Sequence, residues 1–387
     1  MRPLKKTHRI ESRPPFECVA LLLQGGGALG AYQAGVYEAL AEAGLHPDWV
    51  AGISIGAINS AIIAGNPPET RVARLREFWE GITIDHGAIG DSVLGAFLQG
   101  ESARQIWNQM SASCALHKGI KGFFVPRIPS PWLYPPGSRD ATSYFDTQPL
   151  KTSLERLVDF DRLNTGPMRV SLSAVNVRSG NFVYFDTATD IIRPEHVMAS
   201  GALPPGFPAI EIDGELYWDG GLVSNTPLDC VVESTPRQDT LVFQVDLWSA
   251  RGEYPRNMAE VTTRQKEIQF SSRTRSTTDR FRYAQRLRHA IATLLDDAPE
   301  ALKATRAGQF LAQAADSKIY NLIHLIYHAH QYEGDSKDYE FSRLSMEEHW
   351  RAGYHDTVRT LRHPEVLEPP RIGDCVRSFD VAVDGRD

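Results

Sequence analysis

The first strong signal along the chain is an unbroken apolar run, Val19 to Leu23, ended by polar Gln24 and the glycines Gly25, Gly26 and Gly27. A run of strand length without polar alternation predicts a parallel strand covered on both faces by helices. Beyond the glycines, Tyr32, Val36, Tyr37 and Leu40 recur at helical spacing, and Gly44 stands where helices commonly stop in the left-handed conformation. A second short strand is predicted over Trp49 to Ala51, and it runs straight into Gly52-Ile53-Ser54-Ile55-Gly56. Ala57, Ile58, Ala61 and Ile62 then form the apolar face of another helix, and Val72, Leu75, Phe78 and Trp79 form that of a third, opened by Pro67-Pro68.

From Met168 the pattern turns to strands. VSLSAVNV and FVYFD read as a hairpin turning at Ser179-Gly180, and a second hairpin at Asp213-Gly214 returns through Glu215 to Trp218 and delivers Asp219 at its end. Between them His196 to Ala202 reads as a short helix stopped by Pro204-Pro205. Leu241 to Leu247 reads as one more buried strand, closing the sheet. Further on, Ile319 to Tyr327 predicts a late strand. Ser345 with Glu348 forms a capping-box pattern opening a helix that carries Trp350, Tyr354, Val358 and Leu361 on one side and ends by Pro364.

Two stretches break the regular pattern. Gly119 to Asp140 holds Phe123, Phe124, Trp132, Leu133 and Tyr134 among prolines and cannot be a long helix or an inner strand. Its aromatics either tuck beneath the loop as a satellite core or form a lid or acyl-chain wall. After about residue 250, Arg273, Arg275, Arg280, Arg282, Arg286 and Arg288 interleave with Phe281, Ala284, Leu287 and Ile291. That is a basic amphipathic helix, either a solvated face paired with local acids or a surface for an anionic membrane. His324, His328 and His330 lie on or just past the late strand without acids at ligand spacing, and read as packing or surface.

Composition bounds the rest. With 387 residues and 42% hydrophobic content the chain can bury a large core, read as a domain over 17–250 and an extension over 251–387. A net charge of −7 argues against nucleic acid as a partner. The four scattered cysteines show no zinc-like spacing and fit reduced thiols. The basic start is followed by an apolar run too short for a signal peptide or a membrane span, so the expectation is a cytoplasmic protein.

Chemistry concentrates where the first strands end. A serine between a strand and a helix must make a sharp turn, and Gly52 and Gly56 on either side give Ser54 room to make it. Gly25, Gly27 and Gly30 also satisfy a dinucleotide GxGxxG, but the acid that fingerprint requires could only be Asp48, just ahead of the second strand. The other reading makes the loop a set of amides facing the serine. QGGGALG, then GISIG, then Asp219-Gly220-Gly221 resembles the patatin-like phospholipase family in motif and order.

That resemblance implies an α/β fold, a three-layer sandwich with a mostly parallel central sheet, here with a mainly helical C-terminal extension. It implies a Ser54–Asp219 dyad, an oxyanion hole at Gly25, Gly26, Gly27 and Gly30, Gly52 and Gly56 flanking the elbow, and Gly220 and Gly221 after the acid. The implied substrate is a lipid or other acyl ester, with no metal or cofactor. Peripheral contact with a membrane, lipid particle or storage granule stays open, and the sequence is silent on oligomeric state. Many family members carry Arg or Lys where this chain has Leu29, so a fixed positive charge beside an anionic headgroup is missing from the loop. A neutral-lipid or intracellular polyester (polyhydroxyalkanoate) esterase, a histidine-dependent acyltransferase and a non-catalytic lipid-surface scaffold remain as alternatives.

Overall fold

A computed structural model describes residues 7–84, 100–371 and 374–381, apart from the side chains of 272–275. Its strands are β1 (Cys18–Leu23), β2 (Trp49–Gly52), β3 (Val125–Pro126), β4 (Phe145–Asp146), β5 (Arg169–Asn176), β6 (Phe182–Asp186), β7 (Ile210–Ile212), β8 (Glu215–Asp219), β9 (Thr240–Asp246), β10 (Tyr320–Ile326) and β11 (Val376–Phe379). The helices used below are α1 (Ala31–Glu42), α2 (Ile55–Ala64), α3 (Pro68–Gly81), α4 (Glu101–Lys118), α5 (Gln148–Leu157), α6 (Phe160–Thr165), α7 (Pro194–Ser200), α8 (Leu228–Val232), α9 (Met258–Asp296), α10 (Glu300–Lys303), α11 (Arg306–Ala314) and α12 (Arg343–Leu361).

Period-two alternation inside the apolar runs sets the layers. Along β1, Val19, Leu21 and Leu23 point to one face and Cys18, Ala20 and Leu22 to the other, and all are buried. The first set joins a core with Tyr32, Ile58 and Trp350 from α1, α2 and α12. The second joins a smaller core with Val231 of α8 and Phe281 of α9. A sheet buried on both faces between helices is a three-layer α/β/α sandwich.

The strand order is β11-β10-β9-β1-β2-β5-β8-β7, with β6 also paired to β5. Pairing is parallel from β11 to β5 and antiparallel where β5 meets β6 and β8. In register, Leu21 of β1 stands between Val50 of β2 and Phe243 of β9. The strand expected to close the sheet, β9, therefore lies inside it. Residues beyond 250 supply β10 and β11, and β10 pairs with β9 from Tyr320 to Ile326.

Helix α12 packs on α1 at backbone distance. A Cβ on Gly35 would lie 1.9 Å from the Trp350 carbonyl oxygen, and one on Gly353 would lie 2.0 Å from that of Tyr32. Around this crossing Tyr32 donates to Asp356 at 2.9 Å and Tyr354 donates to Glu42 at 2.7 Å. The N-cap of α12 is Ser342, whose hydroxyl oxygen accepts from the Ser345 amide, so the helix starts one turn before the predicted Ser345. Glu348, the other half of the predicted box, instead accepts from Arg104 at 2.8 Å.

The basic helix is real and long, but its inward face differs from the prediction. Phe281 is buried as expected, whereas Leu287 is 52% exposed and Gln285 is fully buried, held by Asp316 at 3.0 Å and the Lys318 carbonyl at 2.9 Å. The side chains of Arg273 and Arg275 lie outside those described.

Candidate active site

Ser54 follows β2 and caps α2, at φ 56° and ψ −123°. A non-glycine residue at positive φ stores about 1–3 kcal/mol of strain. The neighbours leave it no alternative path. A Cβ on Gly52 would lie 2.3 Å from the Gly56 carbonyl oxygen, and one on Gly56 would lie 2.2 Å from that of Leu23. The Ser54 amide is held by Ser200 at the end of α7, donating to its carbonyl and hydroxyl oxygens, each at 3.1 Å.

Asp219 arrives from the antiparallel side of the sheet. Strand β8 pairs with β5, which pairs with β2, so the carboxyl end of β8 comes to rest beside the end of β2. The carboxylate accepts from the Gly221 amide at 2.7 Å and has the Ser54 side chain beside it. It is only 2% exposed, and burial pushes its pKa up to about 7 against the opposing pull of the Ser54 side chain and the Gly221 amide. At neutral pH a group so poised both takes and returns a proton readily.

The glycine loop is tied at both ends. The Gly25 amide donates to Asn225 Oδ1 at 3.1 Å, while its carbonyl accepts from Asn225 Nδ2 at 3.0 Å and Trp248 Nε1 at 2.9 Å. At the far end the Ala28 amide donates to the Asp338 carbonyl at 2.8 Å. Among the described residues, the amides of Gly26 and Gly27 have no protein acceptor. Gly30 faces elsewhere: its Cα packs between Ile55 and Trp79, and its carbonyl accepts from Asn59 at 3.0 Å. Of the loop positions singled out in the sequence, Gly25, Gly26 and Gly27 line the same cavity as Ser54, with the Gly25 amide, expected as an oxyanion donor, committed to Asn225 instead, and Gly30 packs between Ile55 and Trp79.

Above Ser54 and Asp219 opens a cavity of about 290 Å³, walled by Phe123, Phe124, Phe145, Phe207, Phe270 and Phe341. Their rings interlock, with Phe124 centred 4.8 Å from Phe145 and 5.2 Å from Phe207, and Phe123 5.9 Å from Phe341. Among the described residues lining this cavity none is Lys, Arg or His. The proline-rich loop divides between its two expected roles: Phe123 and Phe124 are buried in the wall, while Trp132 and Leu133 are 82% and 75% exposed at the tip. A larger, polar cavity of about 490 Å³ near Glu101 and Tyr254 does not include Ser54 or Asp219. His324 lies apart from the site, its Nδ1 3.6 Å from Asp246.

Several residues here escaped the sequence reading. Asn225 sits a few positions past Gly221, in a Ser-Asn-Thr-Pro turn whose only signal was its turn composition. Trp248, Phe270, Asp338 and Phe341 come from 248–341, and only the chain's path through space brings them to the loop.

Comparison with known proteins follows the same lines. A family model described as patatin-like phospholipase matches residues 21–232, and another, described as patatin phospholipase, matches 268–372. Lysophospholipase nte1 of Aspergillus terreus is 49% identical over 57 residues, 15% of this chain and 4% of that protein. Patatin-like phospholipase domain-containing protein 7 of Mus musculus is 43% identical over 67 residues, 17% of this chain and 5% of that protein. This chain thus spans a small fraction of the length of the curated relatives it matches. Among solved structures, VipD from Legionella pneumophila aligns with 93% of this chain and 71% of its own at 15% identity and a TM-score of 0.35. The type III effector ExoU aligns with 92% and 55% at 14% identity and 0.34, and at such scores the architecture stands on its strand order alone. Matched over more than half its length by a single family model, the chain belongs to the patatin-like phospholipase family.

Proposed function

We propose that the chain is a serine acyl-ester hydrolase acting on lipid. Ser54 Oγ attacks the ester carbonyl carbon as its proton passes to Asp219, and the negative charge on the carbonyl oxygen is held by the Gly26 and Gly27 amides. Collapse expels the alcohol, which takes the proton from Asp219. Water then attacks the acyl-serine with Asp219 as base, releasing the acid and restoring Ser54. The observation that carries this reading is a strained serine beside a buried carboxyl at the floor of a phenylalanine-walled cavity.

The substrate within that class is narrowed by the lining. With no cation among the described lining residues, the cavity favours an uncharged ester, which supports a neutral-lipid or polyester (polyhydroxyalkanoate) substrate over an anionic phospholipid headgroup. Among the described residues no helix is long and apolar enough to cross a membrane. The exposed Trp132 and Leu133 at the loop tip would supply lipid contact in this reading. A fluorophosphonate probe should label Ser54, and turnover should be ranked across phospholipid, triacylglycerol, a hydroxyalkanoate polyester and a short-chain aryl ester. An unlabelled Ser54 with no turnover on any of the four would make the chain a lipid-surface scaffold.

A further inference from the structure

The oxyanion loop is held from the far side of the sequence. Gly27 sits at φ +55°, and a Cβ on it would lie 2.0 Å from the Asp338 carbonyl oxygen, so loop and clamp touch backbone to backbone. That carbonyl accepts from the Ala28 amide at 2.8 Å. Asp338 is itself held by Lys266 of α9, whose ammonium donates to Asp338 Oδ1 at 2.6 Å and to the Asp335 carbonyl at 2.9 Å. One turn later on α9, the Phe270 carbonyl accepts from Gln24 at 3.3 Å and Asn225 at 3.4 Å, the same Asn225 that anchors Gly25. The segment Lys266 to Phe270 therefore reaches both ends of the loop, leaving the Gly26 and Gly27 amides fixed between them.

We propose that Lys266 and Asp338 are a positioning pair that sets the oxyanion amides of Gly26 and Gly27. The inference rests on the hydrolase reading. Neither side chain touches the substrate in this scheme, and Lys266 is committed to Asp338 and Asp335. What the pair does is hold the Gly27–Ala28 peptide in one orientation, so the adjacent amide already points at the place where charge develops. The lysine sits in 251–387, which gives that stretch a catalytic duty.

The test uses the full chain with Lys266→Met, and Lys266→Arg as rescue. Rates are normalised to the fraction of Ser54 that a fluorophosphonate titrates, which removes any loss from misfolding. Because misplacing catalytic groups by about 1 Å costs about 100-fold, Lys266→Met should lower kcat about 100-fold while KM stays within about twofold. Affinity for a trifluoromethyl ketone, whose adduct places an oxyanion in the hole, should fall in parallel. Lys266→Arg should restore most of kcat. Amide hydrogen exchange at Ala28 should speed up in Lys266→Met. If that variant folds too poorly to titrate, Asp338→Asn, which keeps the shape and the main-chain carbonyl, is read in the same way. Wild-type kcat per titrated serine, or unchanged exchange at Ala28, overturns the clamp alone. Failure of the wild-type chain to be labelled overturns the hydrolase reading and the pair's catalytic role together, while the exchange result still reports whether the clamp exists.

Discussion

The cavity has two walls of opposite construction. On one side the elbow from Gly52 to Gly56 is a single contiguous stretch, each residue constrained by its immediate neighbours and by the strand beside it. On the other, Phe270, Asp338 and Phe341, with Lys266 behind Asp338, come from a helix and a distant turn and meet only through tertiary packing. The first kind of site is written locally, because backbone strain has to be resolved within a few residues. The second is assembled at a distance, and its residues look ordinary where they stand. In the proposed scheme the nucleophile Ser54 sits in the first wall, and the second holds the residues that set the oxyanion amides.

The sharpest way to break this contrast is at the elbow itself. Ser54→Ala should lower turnover by about 10⁴-fold or more and abolish fluorophosphonate labelling. Stability should stay within ~0.5 kcal/mol, because the side chain is not part of the packed core. Label persisting in that variant would move the nucleophile elsewhere.

Next in size is the base. Asp219→Asn should cut turnover by about 10³-fold or more, and wild-type turnover should rise with pH through about 7. The same group makes a stability prediction of definite sign. Its folded pKa, about 7, lies above the ordinary 3.8, so between those values the folded state holds a proton that the unfolded state has released. Wild-type stability from this group therefore declines as pH climbs through that window and levels off above it. The Asn variant does not titrate, so its advantage over wild type in urea denaturation should be greater at pH 8 than at pH 5. An equal difference at both would mean that Asp219 is ionised throughout.

Between the two walls lies the loop. Gly27→Ala should lower kcat by about 10²- to 10³-fold, since its Cβ collides with the Asp338 carbonyl and moves the amides off target. Gly30→Ala, crowding Ile55 and Trp79, should instead lower the folded fraction and leave kcat per titrated serine near wild type. The smallest effect belongs to the loop tip. Phe124→Ala should cost about 3–5 kcal/mol as a buried ring lost from the wall. Trp132→Ser with Leu133→Ser should leave stability within ~0.5 kcal/mol and reduce activity only on particulate esters. Equal losses on soluble and particulate substrate would remove lipid contact from the tip.

Much of the scaffold was legible. The apolar runs of β1, β9 and β10 and the turns at Ser179-Gly180 and Asp213-Gly214 carry period and turn chemistry strong enough to survive any tertiary context. Errors fell where a partner outside the window decided the outcome. Nothing within Leu241 to Leu247 says that another strand waits beyond it, so β9 read as an edge. Ser342 and Ser345 both suit a cap, and Glu348, which favoured the second, is drawn off by Arg104. Leu287 read as core because leucine usually is, whereas Gln285 takes the inward place by satisfying its amide at Asp316 and Lys318. In the site, Ser54 and Asp219 were legible and Asp338 was not, because a main-chain carbonyl does not announce itself through its side chain.

The position of β9 bears on how the protein is made. As the chain leaves the ribosome, β1, β2, β5 and β9 are complete long before β10 appears, so β9 spends that interval with one side of its backbone unpaired. An apolar, freshly exposed strand edge is a template for pairing with the wrong chain. The nascent protein is therefore most vulnerable when Ser54 and Asp219 have been synthesised but the strands that cover β9 have not. A chain cut after residue 250 would carry that vulnerability permanently, and should aggregate rather than accumulate as a smaller folded protein.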